Sequence, residues 1–362
     1  MIENIYIGKD SISNLSEILK LHSGKKVFLV TGKSSYEKSG AQKIMESLLQ
    51  GTPYFRFSDF EENPKLEDVK KGIELFKREN CELTIAIGGG SAIDIAKLIN
   101  SLSQVQENLV ETIKANRLDQ KPYPFVAIPT TAGTGSEATH FAVMYINGEK
   151  YSFAHKNILP EYVIVDSQFT YSTPAYLTAC TGADALCQAI ESMWATGGNV
   201  ESKEYAKKAI SLVWNNLEEA VVDNDYHAKD KVSEGAYWAG KAINISKTTA
   251  SHALSYKMTS LFDVPHGHAV AITLTHVMKA NCDFAKEDIQ RILNLINADN
   301  LTDGVLKIDN LWNQIGLSLK LNDLGILEKD IAVLSNCNLE RLKNNPAILN
   351  REKIENIFRS LI

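Results

Sequence analysis

The sequence predicts an N-terminal α/β domain built on a parallel sheet, residues 1–170, followed by an all-α helical domain, residues 171–362. Three observations carry this. From about residue 25 to 170, short β-branched apolar runs alternate with amphipathic segments. From about residue 171 the strand signals stop and apolar positions fall into helical spacing. Two loops rich in glycine and hydroxyls each follow an apolar strand directly.

Taken in order, the start MIENIYIGKD sets Ile2, Ile5 and Ile7 among polar neighbours and reads as a strand, with acid where a signal peptide carries base. KKVFLVTG, PYFRFSD, CELTIAIGGGS, PFVAIPTTAGTGS and EYVIVD are the strands of the sheet. The segment DSQFTYSTP marks the domain boundary, because Pro174 suits the first turn of a helix better than its interior. Beyond it, Ala206, Ile210, Val213 and Leu217, and later Ile354, Ile357, Phe358 and Leu361, repeat at helical spacing.

A chain of 362 residues is long enough for two or three domains with a large interior. Its net charge of -6 argues against a nucleic-acid surface, which needs basic excess to displace counterions from phosphate. No apolar run is long enough to span a membrane. Cys81, Cys180, Cys187, Cys282 and Cys337 are odd in number and scattered, the pattern of reduced thiols, so a cytoplasmic location is expected.

In TIAIGGGSAIDIAK, Gly88, Gly89, Gly90 and Ser91 stand between a buried strand and a helix carrying Asp94. Backbone amides at such a helix start can approach a pyrophosphate closely; the plainer reading is a tight strand-to-helix turn. PTTAGTGSE adds Thr130, Thr131, Thr134 and Ser136 after a neighbouring strand, and two such loops suit one extended dinucleotide. In KVFLVTGKSSY the segment Gly32, Lys33, Ser34, Ser35 has no acid to meet a ribose 2′-hydroxyl, so NADPH is expected to be tolerated beside NADH.

Asp184 and Gln188 are four apart in a helical pattern and share a face, and His252 and His266 follow, the second in a Pro-His-Gly turn. Together they can hold a divalent first-row metal. Taken singly, each residue has an ordinary structural role, as a cap, a polar helix position or a hydrogen-bonded histidine.

GGGSxxDxAK, PTTAGTGSE, G-x-DAL-x-x-A-x-E and H-x13-H with Pro-His-Gly, in this order, resemble the iron-containing (group III) alcohol dehydrogenases, from the first strand to about residue 280. The resemblance implies a Rossmann-like domain, a helical domain, a cleft between them, and metal-assisted hydride exchange between a nicotinamide and an alcohol or aldehyde. It implies Fe2+ or Zn2+ on Asp184, His252 and His266, with Gln188 as an optional fourth ligand, Lys150 near the nicotinamide ribose, and a homodimer or larger oligomer. Two positions depart from the family pattern: Gln188 and Tyr256 each stand where a histidine is usual. Tyr256 and His268 are the candidate proton donors.

Around the first metal histidine, AINISKTTASHALSY with VPHGHAVAITL is similar to the branch that reduces phosphonoacetaldehyde to 2-hydroxyethylphosphonate. Lys247, Thr248 and Thr249 would then receive an anionic head group. A general alcohol or lactaldehyde-type dehydrogenase of the same family would show the same loops and metal set; a dehydroquinate-synthase-like cyclase resembles this fold and also uses a nicotinamide and a metal; a non-catalytic nucleotide-binding protein would have Gln188 and Tyr256 as marks of a decayed site.

Overall fold

The computed structural model describes residues 4–106, 108–147 and 149–362. The chain forms two compact units, one of residues up to Thr131 with Gly135–Ser172, the other of Ala132–Thr134 with Thr173–Ile362.

In the first unit, β1 (Asn4–Ile7), β2 (Val27–Thr31), β3 (Tyr54–Phe57), β4 (Leu83–Gly88), β5 (Phe125–Pro129) and β8 (Tyr162–Val165) form one parallel sheet in the order β3-β2-β4-β5-β8-β1. The central strands are buried along their whole length because helices cover both faces, so they read as unbroken apolar runs. Side chains still sort by the two-residue period. Phe28, Val30, Ala86 and Ala127 enter one core, and Val27, Leu29, Ile85 and Val126 enter the other. Since β2, β4 and β5 are parallel neighbours, the loops that follow them open on one edge of the sheet.

An antiparallel hairpin of β6 (Phe141–Ile146) and β7 (Glu149–Ala154) is absent from the strands expected from sequence. Its signal was available: Asn147-Gly148 separates two runs of strand formers, and β6 alternates half-buried with buried residues.

The second unit is helical, as the apolar spacing predicts. Pro174 is the N-cap of the Ala175–Trp194 helix. Every residue from Gly182 to Trp194 is buried, because the Val200–Trp214, Tyr226–Ser246 and His266–Asn281 helices pack around this segment. Any polar side chain on it must therefore find a partner inside the protein or a ligand.

Candidate functional site

Gly88 ends β4, and Gly89, in extended backbone, is the N-cap of the Gly90–Leu102 helix. The helix start, with its positive dipole end, thus lies at the carboxyl edge of the sheet. A Cβ on Gly88 would stand 2.6 Å from the Ala92 Cβ, so the fold itself requires glycine there. A Cβ on Gly89 would meet nothing closer than the Thr131 Oγ1 at 3.5 Å, an ordinary contact, so the fold makes no such demand at 89.

Other residues expected at the nucleotide spend polar atoms within the protein. The Ser136 hydroxyl donates to Asp94 Oδ1, and the Val143 N–H donates to Asp94 Oδ2 at 2.9 Å. Lys97, buried, donates to the carbonyls of Ser136 (2.6 Å), Thr139 (2.8 Å) and Phe141 (2.9 Å). This clamp fixes the second loop against the Gly90–Leu102 helix. Burial pushes Lys97 down to about 8 against the pull of Asp94 and Glu137, and burial pushes Glu137 up to about 7. Asp94 is also raised by burial, with the Lys97 charge, the Ser136 and Val143 bonds and Lys150, on β7, opposing.

The Ser91 hydroxyl accepts from the Asn63 N–H at 3.3 Å, and the Thr130 N–H donates to the Gly88 carbonyl at 3.0 Å. At the end of β2, a Cβ on Gly32 would meet the Ser35 Oγ at 2.1 Å, and Ser34 caps the short Ser35–Lys38 helix without a side-chain bond. Lys33 pairs with Asp59 at 3.2 Å. The carboxylate missing from the β2 loop is therefore brought there from beyond β3, which sequence order did not reveal. Among the described residues, a cavity of about 330 Å³ lies elsewhere, at the amino ends of β5 and β8, away from these loops.

In the helical unit, one ligand atom each from Asp184, His252 and His266 lies within 4.8 Å of the others. Asp184 and Gln188 share the buried face of the Ala175–Trp194 helix, and His252 lies in the Ala250–Phe262 helix. His266 opens the His266–Asn281 helix. Gly267 lets that helix approach: a Cβ there would stand 1.8 Å from the Cys180 carbonyl oxygen and 2.9 Å from the Asp184 Cβ. The glycine of the Pro-His-Gly turn is thus what brings His266 beside Asp184.

The two imidazoles are oriented from behind. His252 Nδ1–H donates to Glu191 Oε2, and Nε2 faces Asp184 Oδ1 at 3.2 Å. Glu191 in turn accepts from the Thr249 hydroxyl (2.7 Å) and the Ser251 N–H (2.8 Å), while Trp194 Nε1–H donates to Thr249 at 3.0 Å. The Ser255 hydroxyl donates to the His252 carbonyl at 2.8 Å and lies 3.4 Å from His266 Nδ1, which can donate to it and keep Nε2 as the lone-pair nitrogen. Burial alone would push His252 down; the Glu191 charge and the Asp184 bond overcome it and raise the ring to about 10. Burial raises Asp184, but its His252 bond and the His266 charge outweigh burial and lower it.

Gln188 tests whether this set suits a metal. Its Nε2 donates to the Thr134 carbonyl at 3.3 Å, while its Oε1 is buried without a hydrogen-bond partner. A buried orphan acceptor on a side chain that also touches Asp184, one helical turn away, fits a fourth ligand, and the N/O donor set suits Fe2+ or Zn2+. Thr134, expected at the nucleotide, belongs by its carbonyl to this neighbourhood.

The remaining candidates diverge. His268 Nε2–H donates to the Ser318 carbonyl at 2.7 Å, so Nδ1 accepts from the Tyr176 hydroxyl at 3.0 Å. Both ring nitrogens of His268 are thus hydrogen-bonded, and burial lowers its pKa against the Ser318 bond. The Thr249 hydroxyl, committed to Glu191 and Trp194, is likewise spent before any anion arrives. Lys247 is exposed, in the left-handed region at φ 60, and the Thr248 carbonyl accepts from Asn344 Nδ2 at 2.9 Å. The Tyr256 ring stacks on His266, centroids 6.2 Å apart.

Residues 3–167 match the family model for iron-containing alcohol dehydrogenase, and residues 178–362 match that for the C-terminal part of the Fe-containing alcohol dehydrogenase family. The chain belongs to the iron-containing alcohol dehydrogenase family. Membership extends to the C-terminus, beyond the residue 280 or so where the sequence motifs stop. The chain is 31% identical to 1,3-propanediol dehydrogenase of Klebsiella pneumoniae over 99% of its length and 97% of the relative's. The structure of sulfoacetaldehyde reductase from Bifidobacterium kashiwanohense in complex with NAD+ superposes with TM-score 0.92 at 30% identity, covering 99% of this chain and 96% of that one. A 1,3-propanediol oxidoreductase structure gives TM-score 0.94 at 30% identity, with 99% and 98% covered.

As a member, the chain is an oxidoreductase of the alcohol dehydrogenase type, in a family that uses a nicotinamide dinucleotide and a divalent metal. No helix among its described residues is long and apolar enough to cross a membrane. Glu191 is the residue that motif reading quoted without assigning. It lies seven residues after Asp184, two helical turns on the same face, and that spacing was the available signal.

Proposed function

We propose that this alcohol dehydrogenase reduces a small aldehyde carrying an anionic group, phosphonoacetaldehyde to 2-hydroxyethylphosphonate foremost, with NADH or NADPH. The observation that carries the reductase chemistry is the Asp184, His252, His266 cluster with the orphan Gln188 oxygen beside it. The anionic substrate is supported by Lys247 next to that cluster in sequence and by the likeness to a sulfoacetaldehyde reductase, whose named substrate is also a two-carbon aldehyde with an anionic end.

Asp184, His252, His266 and Gln188 would hold the metal. When bound, the cation supplies Lewis-acid polarisation of the carbonyl and the reduced nicotinamide supplies hydride. The chain's own work is orientation. Glu191 keeps the His252 proton on Nδ1, Thr249 and Ser251 hold Glu191, and Ser255 does for His266 what Glu191 does for His252. Gly88, Gly89 and Gly90 would admit the pyrophosphate at the helix start, with Lys150 toward the nicotinamide ribose.

A second reading, a dehydrogenase of neutral diols or simple alcohols, is favoured by the likeness to 1,3-propanediol dehydrogenase. The two separate in one assay. Metal-loaded protein is offered phosphonoacetaldehyde, sulfoacetaldehyde and propionaldehyde, and oxidation of NADH and of NADPH is followed by absorbance. A large kcat/KM advantage for the anionic aldehydes supports the first reading, and equal rates support the second. We also infer a cytoplasmic enzyme, on five unpaired cysteines, and a homodimer or larger assembly, on the family resemblance.

A further inference from the structure

Lys247 stands between the Tyr226–Ser246 helix and the Ala250–Phe262 helix at φ 60, ψ 174. That region of backbone space is comfortable only for glycine, because a Cβ crowds the neighbouring backbone there. A lysine is therefore held in strained backbone five residues before His252. The residue that holds it comes from far along the chain.

Asn344 Nδ2 donates to the Ser246 carbonyl (2.8 Å) and to the Thr248 carbonyl (2.9 Å), one on each side of Lys247. The Ser246 hydroxyl lies 2.9 Å from the Lys247 carbonyl itself. The same asparagine also grips the loop that follows the Ala175–Trp194 helix. Its Oδ1 accepts from the Gly197 N–H at 2.8 Å, and its carbonyl accepts from the Thr196 N–H at 3.0 Å. The fit is close: a Cβ on Gly197 would stand 3.0 Å from Asn344 Oδ1 and 3.2 Å from the Ser246 carbonyl oxygen. Asn344 is anchored by its neighbour Asn345, which is buried and exchanges amide bonds of 2.8 and 3.0 Å with the buried Asn281.

The two segments joined by this one amide belong to helices that carry the metal cluster. The Ala175–Trp194 helix bears Asp184, Gln188 and Glu191, and the Ala250–Phe262 helix bears His252. Beside the junction, Trp194 Nε1–H donates to the Thr249 hydroxyl, and Thr249 donates to Glu191, the carboxylate behind His252. We propose that Asn344 is a positioning residue for the metal. It holds the Lys247 turn in its strained form and so fixes the register of the Ala250–Phe262 helix, and with it His252, against the helix of Asp184. This rests on the reading of Asp184, Gln188, His252 and His266 as metal ligands. An asparagine suits the task because its amide offers two donors to two carbonyls and an acceptor to an N–H at once. Without it, strain drives the Lys247 turn toward ordinary backbone, and the Ser246 and Thr248 carbonyls lose their donor.

The test is the Zn2+ affinity of the full-length protein, measured by titration against a competing chelator, with cooperative melting as the check on folding. Asn344→Ala lowers the affinity about 10- to 100-fold, the size expected when a group that orients a metal ligand is removed. Lys247→Gly added to Asn344→Ala recovers most of that loss, since glycine takes the turn without strain. Asn344→Asp keeps the acceptor but loses both donated bonds; it shows the same loss and serves where Asn344→Ala does not melt cooperatively. Wild-type affinity in the Asn344 variants overturns this assignment alone. So does a loss that Lys247→Gly leaves unrepaired, which marks general loosening of the fold. A wild type that binds no Zn2+ overturns the metal-ligand reading and this inference with it.

Discussion

Glu191 shows how a buried charge acts through another residue. Its two oxygens are used by Thr249, Ser251 and His252, so its charge is compensated, and the imidazole it holds is made a stronger donor at Nε2. Glu191→Gln should lower metal affinity about 10- to 100-fold, read by titration against a competing chelator, with nucleotide binding unchanged. Glu137, next to the loop clamp, makes a second residue-scale prediction. Its carboxyl is raised by burial from 4.5 to about 7, so it favours the folded state below 4.5 and the benefit is lost as pH rises through 7. Glu137→Gln removes that loss. The variant's Tm should therefore gain on wild type between pH 5 and pH 8, by up to about 3 kcal/mol in stability; a Tm difference flat across that range would show that the carboxyl does not titrate there. Asp184, Gln188, His252 and His266 were all legible from spacing. The bracing of Glu191 was not, because Thr249 reaches it across 58 residues of sequence.

At the scale of elements, the glycine loop separates two demands that look alike in sequence. Gly88 is needed by packing against Ala92, while Gly89 has room for a methyl group and an ordinary φ of -73. Gly89→Ala should leave Tm within about 0.5 kcal/mol of wild type in stability and yet weaken NADH binding, measured by fluorescence titration. Unaltered binding would return the loop to a plain strand-to-helix turn. The strands and the helical half were readable because burial on two faces, or on one helical stripe, leaves a period in the sequence. The β6–β7 hairpin went unread although its Asn-Gly turn was in view, and Lys97, ordinary in sequence, proved to be the buried donor that ties β6 and the second loop to the Gly90–Leu102 helix.

For the whole molecule, the glycine loop and the metal cluster belong to different compact units, each with its own core. Removal of metal with a chelator should therefore abolish aldehyde reduction while NADH still binds, and readdition of Fe2+ or Zn2+ should restore turnover. Loss of nucleotide binding on chelation would instead mean that the two sites fold together.

By itself the sequence determined the strands of the parallel sheet, the change from α/β to helical texture, and the candidate set of glycine loops, carboxylate, amide and two imidazoles. These are written in local periods and short spacings, which neighbouring residues impose on one another. Only the tertiary structure decided what those groups lean on: Glu191 behind His252, Asp59 beside Lys33, His268 locked between Tyr176 and Ser318, and Arg341 over Tyr256. Each joins residues from separate elements, and such contacts are set by how buried faces pack, for which no spacing along the chain is a signal.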